Sequence, residues 1–216
     1  MKEKVLNHLN FLIERYPSLA CCKQSIIDAF GILEKCFATG HKLLVAGNGG
    51  SCADSEHVVG ELMKNFKIKR NCSLEFADNL KDIDFSRGQE LAKKLQGALP
   101  SIALDGHQGL NTAIINDLEN GGSIVFAQQI YGYGNEGDVF LAISTSGNSE
   151  NIINAAIVAK AKGMKVVGLT GNDGGELVKF ADVSIITPKN ETYMIQELHL
   201  PIYHCICLML EERFFN

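Results

Sequence analysis

The chain has 216 residues, 46% of them hydrophobic and 21% charged, which is typical of one globular domain with a sizeable core. Its formal net charge of −5 provides no broad basic field, so neither a nucleic-acid backbone nor an anionic membrane is an expected partner. The first residues are charged and lack the apolar core of a secretory signal, and no apolar run approaches the roughly 18 residues of a membrane span. Seven cysteines without a CxxC pair are typical of reduced thiols. We therefore expect a cytoplasmic protein.

Apolar residues at helical spacing predict two helices within the first 40 residues. The first stripe covers about 4–15 and is broken at Pro17. The second covers 25–38, with Ser25 as the expected cap and Gly40 just past the end. We expect an N-terminal helical hairpin over residues 1–40.

From residue 42 onward, short and almost continuous apolar runs alternate with helical patterns. Helices are expected at 150–163, 174–181 and about 190–213. This alternation predicts the α/β class, with a five-stranded parallel sheet flanked by helices on both faces, in a single domain of residues 1–216. The polar segment 65–98 predicts one short helix near 86–97 and is interpreted as an insertion or a lid. The predicted strands are 42–47, 101–105, 138–144, 165–170 and 182–187.

Two turns that follow predicted strands have the chemistry of an anion site. The first, "GNGGS", covers Gly47–Ser51, and its glycines allow close approach of a ligand to the backbone. It has neither the G-x-G-x-x-G pattern of a dinucleotide fold nor the lysine of a P-loop. The second, "STSGNS", covers Ser144–Ser149 and offers four hydroxyl groups at a predicted helix start, which carries about half a positive charge. One hydroxyl is enough to cap a helix, so four favour a phosphate group as the ligand.

A histidine and a glutamate, His57 and Glu61, lie four residues apart directly after the first turn. In a helix, both side chains leave one face about one turn apart. An isolated pair of this kind is more often a surface contact, worth about 0.3 kcal/mol, than a functional site. The position directly after an anion-type turn favours the functional alternative.

Five segments in the correct order together resemble the sugar isomerase (SIS) domain family, and within it the phosphoheptose isomerases. The "STSGNS" turn by itself resembles any SIS domain, whereas the His-xxx-Glu pair together with Gln-x7-His resembles the isomerase branch. The matches cover most of the chain outside 65–98. The segments are "AGNGGSCADSEHVVGEL" (46–62), "IND" (115–117), "GDVFLAISTSGNSENI" (137–152), "GMKVVGLTGNDGG" (163–175) and "IQELHLPIYH" (195–204).

The resemblance implies an SIS fold of the flavodoxin-like three-layer type and a set of site residues. Proton transfer would be carried out by Glu61 and His204, and Glu61 and Gln196 would also contact the substrate. The phosphate would be held by Ser144, Thr145, Ser146 and Ser149. The sugar site would be lined by Asn48, Gly49, Gly50, Ser51, Asn116 and Asp117. One zinc ion per subunit would be bound by His57, Glu61, Gln196 and His204.

The resemblance also implies the reaction and the assembly. The enzyme would be an aldose–ketose isomerase that converts sedoheptulose 7-phosphate to glycero-manno-heptose 7-phosphate through an enediol. It would be a homotetramer or a dimer, with active sites between subunits, and its product would feed heptose synthesis for lipopolysaccharide and other cell-surface polysaccharides. Moving a carbonyl from C2 to C1 needs a base beside the carbonyl and an acid or metal that stabilises the enediolate. A carboxylate whose lone pairs bind a metal ion is not free to take a proton. The roles of base and metal ligand therefore compete at Glu61, and both stay open.

The sequence departs from the family pattern at three positions. Asn65 and Met194 stand where family members carry an arginine, and Pro201 removes a helical hydrogen bond, so a kink is expected. In a straight helix, Gln196 and His204 are separated by about 12 Å of rise. Two alternatives therefore stay open: an isomerase of another sugar phosphate, or a non-catalytic SIS module that binds a phosphosugar or a protein partner such as a replication initiator.

Overall fold

The computed structural model describes residues 3–216. Within this range, five strands form one parallel sheet in the order β2-β1-β3-β4-β5, as the alternating pattern predicts. The strands are β1 (Leu43–Ala46), β2 (Ser101–Ala103), β3 (Val139–Ile143), β4 (Lys165–Thr170) and β5 (Val183–Ile186). The helices are α1 (Glu3–Arg15), α2 (Lys23–Ala38), α3 (Gly50–Met63), α4 (Leu74–Ile83), α5 (Phe85–Lys94), α6 (Gln108–Asp117), α7 (Gly121–Tyr133), α8 (Glu150–Ala161) and α9 (Thr192–Phe215).

The sheet is buried on both faces, which explains why its strands read as continuous apolar runs. In β1, Leu43 and Val45 belong to one core and Leu44 and Ala46 to the other, as the two-residue period of a strand requires. The first core is shared with α1, α2, α3 and α9, and the second with α6, α7 and α8. The result is a three-layer arrangement, in agreement with the predicted fold.

The strand order places both anion-type turns at one point of the sheet. The chain leaves β1 toward β2 on one side, and leaves β3 toward β4 and β5 on the other. Ligands of open α/β sheets bind at such a reversal, outside the carboxyl ends of the strands. Gly47–Ser51 follows β1 and Ser144–Ser149 follows β3, so the two turns lie next to each other there.

Two local expectations for the helices are wrong. Ser25 is not a cap, because a 3₁₀ turn at Pro17–Cys22 leads directly into α2, and the Ser25 hydroxyl donates to the Cys22 carbonyl at 3.0 Å. The expected helix at 174–181 is only a 3₁₀ turn, Glu176–Lys179, because Gly174 and Gly175 have positive φ angles of 85° and 58°. Gly40, with a φ of 79°, does follow the end of α2 as predicted.

The segment 65–98 contains two helices rather than one. Each has a side-chain cap: the Ser73 hydroxyl accepts from Phe76 N, and the Asp84 carboxylate accepts from Arg87 N. The ends of the segment meet, since Gly97 N donates to Arg70 O at 3.1 Å. Its role as an insertion or a lid stays a prediction.

The closing helix, α9, continues on both sides of Pro201. Most of its residues between Ile195 and Glu211 are buried, as expected for a helix that is apolar over most of its circumference. Among residues 3–216, no helix combines the length and the apolar character that a bilayer crossing requires.

Candidate active site

The turn after β1 is shaped by two glycines and by Gln196. Gly49 has a φ of 57°, a conformation that favours glycine, and it directly precedes the first turn of α3. A Cβ on Gly50 would lie 2.6 Å from Gln196 Nε2, so the absence of a side chain lets the amide of α9 approach the start of α3. Ser51 is buried beside them. Gln196 therefore contacts the turn that the resemblance assigns to the sugar.

The two anion-type turns are joined by a pair of amides. Asn48 Nδ2 donates to Asn151 Oδ1, and Asn151 Nδ2 donates to Asn48 Oδ1, both at 2.9 Å. Asn151 lies in the first turn of α8, directly after the serine-rich turn. This double hydrogen bond fixes the position of one turn relative to the other.

The serine-rich turn combines a buried hydroxyl, that of Ser144, with an exposed one, that of Ser146. Ser144 is buried, and its hydroxyl lies 3.0 Å from that of Ser149. Ser146 is exposed, and its oxygen accepts from Asn148 N at 3.1 Å. The carbonyl of Thr145 accepts from Gly171 N at 3.0 Å, which ties the turn to the end of β4. Because α8 begins directly after the turn, its N-terminus adds partial positive charge to the site.

His57 and Glu61 meet His204 at one place between α3 and α9. His57 Nε2 lies 3.1 Å from Glu61 Oε1 and 3.3 Å from His204 Nε2. One ligand atom from each of the three residues lies within 4.8 Å of the others. The Glu61 side chain is 14% exposed and that of His57 42%, so the cluster is accessible from solvent. Two imidazole nitrogens and a carboxylate oxygen are a donor set that suits zinc.

Burial and neighbouring charge affect the ionisation of these groups. Burial, with a smaller contribution from the neighbouring His57, lowers the pKa of His204 below its usual value. A neutral imidazole can accept a proton or bind a metal ion, and both functions suit this position. The preceding residue, Tyr203, is almost fully buried, and its hydroxyl contacts His57 and Asp54. Burial and the Asp54 carboxylate raise the pKa of Tyr203, so this hydroxyl keeps its proton.

The cluster of His57, Glu61 and His204 lies further along α3 than the anion-type turn at its start. α9 runs beside α3 in the same direction, since Gln196 contacts Gly50 and His204 contacts His57. His57 and Glu61 are 7 and 11 residues beyond Gly50, which corresponds to about 10 and 16 Å along the helix. Within one chain, Gln196 therefore lies about two helical turns along α9 from the cluster. Its assignment as a metal ligand stays a prediction.

Comparison with known proteins identifies the family. A family model for the SIS domain matches residues 83–171. The phosphoheptose isomerase of Sulfurimonas denitrificans is 41% identical over 175 residues, which cover 81% of this chain and 75% of that protein. That of Aneurinibacillus thermoaerophilus is 40% identical over 180 residues, covering 83% and 77% of the two chains. The chain belongs to the phosphoheptose isomerase family.

The structure of a member of this family agrees with that assignment. A phosphoheptose isomerase from Francisella tularensis matches with a TM-score of 0.75 and 30% sequence identity, over 98% of this chain and 100% of that one. The predicted SIS fold and the isomerase branch are therefore confirmed.

Asn116 and Asp117 form a hydrogen bond with each other. Both are exposed at the end of α6, where Asn116 Nδ2 donates to Asp117 Oδ1 at 2.8 Å. Their predicted contact with the sugar stays a prediction.

Asp105 supports the first turn, although it is not among the predicted site residues. Its Oδ2 accepts from Gly47 N at 3.3 Å and from the Ser55 hydroxyl, and its Oδ1 is buried without a partner among the described residues. Burial raises the pKa of Asp105, while the hydrogen bond from Ser55 opposes this shift. Asp105 could have been predicted from its position, because it is an acidic residue at the carboxyl end of a predicted strand, where ligands of α/β sheets bind.

Proposed function

We propose that this protein is an aldose–ketose isomerase that converts sedoheptulose 7-phosphate to glycero-manno-heptose 7-phosphate, in the cytoplasm, for heptose biosynthesis. The observation that carries the proposal is the meeting of Glu61, His57 and His204 in a chain of the phosphoheptose isomerase family. A carboxylate beside two imidazoles supplies the base and the proton carrier that an enediol route needs.

The reaction moves one proton from C1 to C2 and one from the C1 hydroxyl to the oxygen on C2. Glu61 takes a proton from C1, and the electrons of the broken C–H bond form the C1–C2 double bond while the carbonyl oxygen at C2 gains a proton. The hydroxyl at C1 then loses its proton, the C1 carbonyl forms, and C2 is protonated. His204 suits the exchange of protons with the two oxygens, because its lowered pKa leaves it neutral near pH 7 and able to accept one.

The same three side chains fit a zinc ion, one per subunit, with Gln196 as a further candidate ligand. The chemistry of the donor set supports this, since two imidazoles and a carboxylate leave a fourth position free. A zinc ion bound there would polarise the substrate carbonyl and stabilise negative charge on the enediolate oxygens. Glu61 remains a candidate for both the base and a ligand.

The phosphate end of the substrate would bind at Ser144–Ser149. Hydroxyl groups donate hydrogen bonds to phosphate oxygens, and the start of α8 adds its partial positive charge. The sugar would then lie against Asn48, Gly49, Gly50 and Ser51, with Asn116 and Asp117 as further candidates.

A homotetramer with shared active sites fits the distances within one chain. The cluster lies about 10 to 16 Å along α3 from the turns, so the cluster of one subunit can face the phosphate turn of another. Apolar side chains near His204 support such contacts: Phe11 is 56% exposed on α1 and Leu200 is 39% exposed on α9.

The direct test is an isomerisation assay with a panel of C5 to C7 ketose phosphates, with and without a chelator. We expect turnover of sedoheptulose 7-phosphate, incorporation of solvent deuterium at the carbon next to the carbonyl, and loss of activity after metal removal. Turnover of a shorter ketose alone would indicate an isomerase of another sugar phosphate. Binding of the panel without any turnover would indicate a non-catalytic module and contradict the proposal.

A further inference from the structure

Tyr203 bridges two side chains of α3 from its position directly before His204. Its hydroxyl oxygen lies 3.0 Å from Asp54 Oδ1 and 3.1 Å from His57 Nδ1. The residue is 2% exposed, and its ring packs edge-on against the rings of both His57 and His204. This packing holds the hydroxyl between its two partners.

The chemistry of these groups assigns the protons. A carboxylate only accepts hydrogen bonds, so the Tyr203 hydroxyl donates its single proton to Asp54. The phenol oxygen then offers only lone pairs, so His57 Nδ1 donates to it. A neutral imidazole with its proton on Nδ1 has a free lone pair on Nε2. That nitrogen is the atom of His57 that faces Glu61 and His204.

We propose that Tyr203 is a positioning residue that, together with Asp54, holds His57 in the tautomer whose Nε2 is free to bind a divalent metal ion. This inference rests on the metal site of the proposed function. Hydrogen bonds to the second nitrogen of a ligating imidazole fix its tautomer and raise its basicity. Among the three side chains of the cluster, His57 is the one that Tyr203 contacts through a hydrogen bond.

The opposite tautomer conflicts with Asp54. With a proton on Nε2, His57 would donate to Glu61 and accept from Tyr203 at Nδ1. The Tyr203 proton would then no longer be available to Asp54, and two acceptor oxygens would face each other at 3.0 Å. With a cation at Nε2, every donor between Asp54 and His57 has one acceptor.

Tyr203→Phe tests the inference, because it removes the hydroxyl and keeps the ring. Zinc affinity, measured by competition with a chromophoric chelator, should fall about 10- to 100-fold, the loss that is typical for such hydrogen-bond partners. Tyr193→Phe is the matched control: it lies in the same helix, is 57% exposed, and should leave zinc affinity unchanged. If the wild-type protein does not bind zinc, the proposed metal site is wrong and the inference falls with it. If the wild type and Tyr203→Phe bind zinc equally, only the inference is wrong.

A second measurement separates proton placement from packing. In zinc-saturated protein with ¹⁵N-labelled histidine, the Nδ1 proton of His57 should exchange slowly with solvent in the wild type and rapidly in Tyr203→Phe. Equal exchange in the two proteins would overturn the proposal.

A double-mutant cycle tests whether Asp54 acts through Tyr203. Asp54→Asn should weaken zinc binding in the wild type and add little in the Tyr203→Phe background, because both residues act on the same proton. Fully additive losses would mean that they act independently and would contradict the proposal.

Discussion

Glu61 Oε1 lies 3.1 Å from His57 Nε2, on the face of α3 where residues four apart meet. The same nitrogen is 3.3 Å from His204 Nε2, which α9 supplies from 147 residues further along the chain. A contact that begins as an ordinary pair within a helix thus becomes a three-residue cluster once the closing helix packs against it.

Replacing Glu61 by glutamine should remove the base and keep the shape of the site. We expect kcat to fall by about 10²- to 10⁴-fold, the contribution that is typical of general base catalysis, while the affinity for the sugar phosphate changes little. Deuterium incorporation from solvent should fall in parallel with turnover. Steady-state kinetics and mass spectrometry measure these effects.

Glu56→Gln is the matched control, because Glu56 is an exposed glutamate in the same helix and lies outside the cluster. It should keep wild-type kinetics. Wild-type turnover by Glu61→Gln would show that the His57–Glu61 pair is only a surface contact.

Replacing Ser146 by alanine should weaken phosphate binding without unfolding the domain, since Ser146 is exposed in the turn before α8. The loss of one hydrogen bond to a charged phosphate should cost about 1.5–3 kcal/mol, which is roughly tenfold or more in affinity. Calorimetry with sedoheptulose 7-phosphate in the Glu61→Gln background avoids consumption of the ligand. Ser86→Ala, at an exposed position in α5, is the control, and equal affinities for all three proteins would remove the turn from the site.

Sequence patterns predicted the sheet well, because helices cover both of its faces and the central strands β1, β3 and β4, buried almost throughout, read as apolar runs. They did not predict α6 and α7. α7 begins with Gly121 and Gly122, which disfavour a helix, and it is held by packing of Val125 and Ile130 in the second core. In α7, packing against residues distant in sequence outweighs the low helix preference of its first residues, and the local sequence does not indicate this packing.

For the site, the same distinction holds between local and long-range contacts. The His57–Glu61 pair was visible because its spacing is local. Tyr203 and Asp54 were not, because their hydrogen bond joins residues 149 positions apart and depends on how α9 packs on α3. A single sequence does not contain the register between those two helices.

The protein should be a tetramer in solution, with an active site that draws on two subunits. Light scattering should give four times the chain mass of 23.5 kDa, and a monomer at micromolar concentration would contradict the shared site.

Mixing two poorly active variants tests directly whether two subunits share one active site. Ser146→Glu adds a negative charge to the phosphate turn, and Glu61→Gln removes the base, so hybrids should regain activity if the turn and the base come from different subunits. No recovery in verified hybrids would place the whole site in one chain.

The ion pair of Arg70 and Glu211 fixes the end of α3 beside the cluster. Arg70 Nε donates to Glu211 Oε1 at 2.8 Å, and the two side chains are 0% and 1% exposed. The guanidinium also donates to the carbonyls of Glu61 and Leu62, so a positive charge lies at the C-terminal end of the helix.

Glu211→Gln should leave Arg70 buried without its counter-charge and lower the free energy of unfolding by about 3–5 kcal/mol.

Burial would raise the pKa of Glu211, but hydrogen bonds from Phe66 N, Lys67 N and Arg70 outweigh it and keep the pKa below its ordinary value of 4.5. A carboxylate with a lowered pKa stabilises the fold above its unfolded-state pKa, and this contribution is lost as the pH falls through the folded-state pKa. Urea unfolding should therefore show a wild-type stability that declines below about pH 4.5, and a weaker decline in Glu211→Gln. Glu90→Gln is the control, because its pair with Lys94 is exposed and should contribute less than about 1 kcal/mol. If Glu211→Gln is no less stable than Glu90→Gln at neutral pH, the pair does not hold the end of α3 in place.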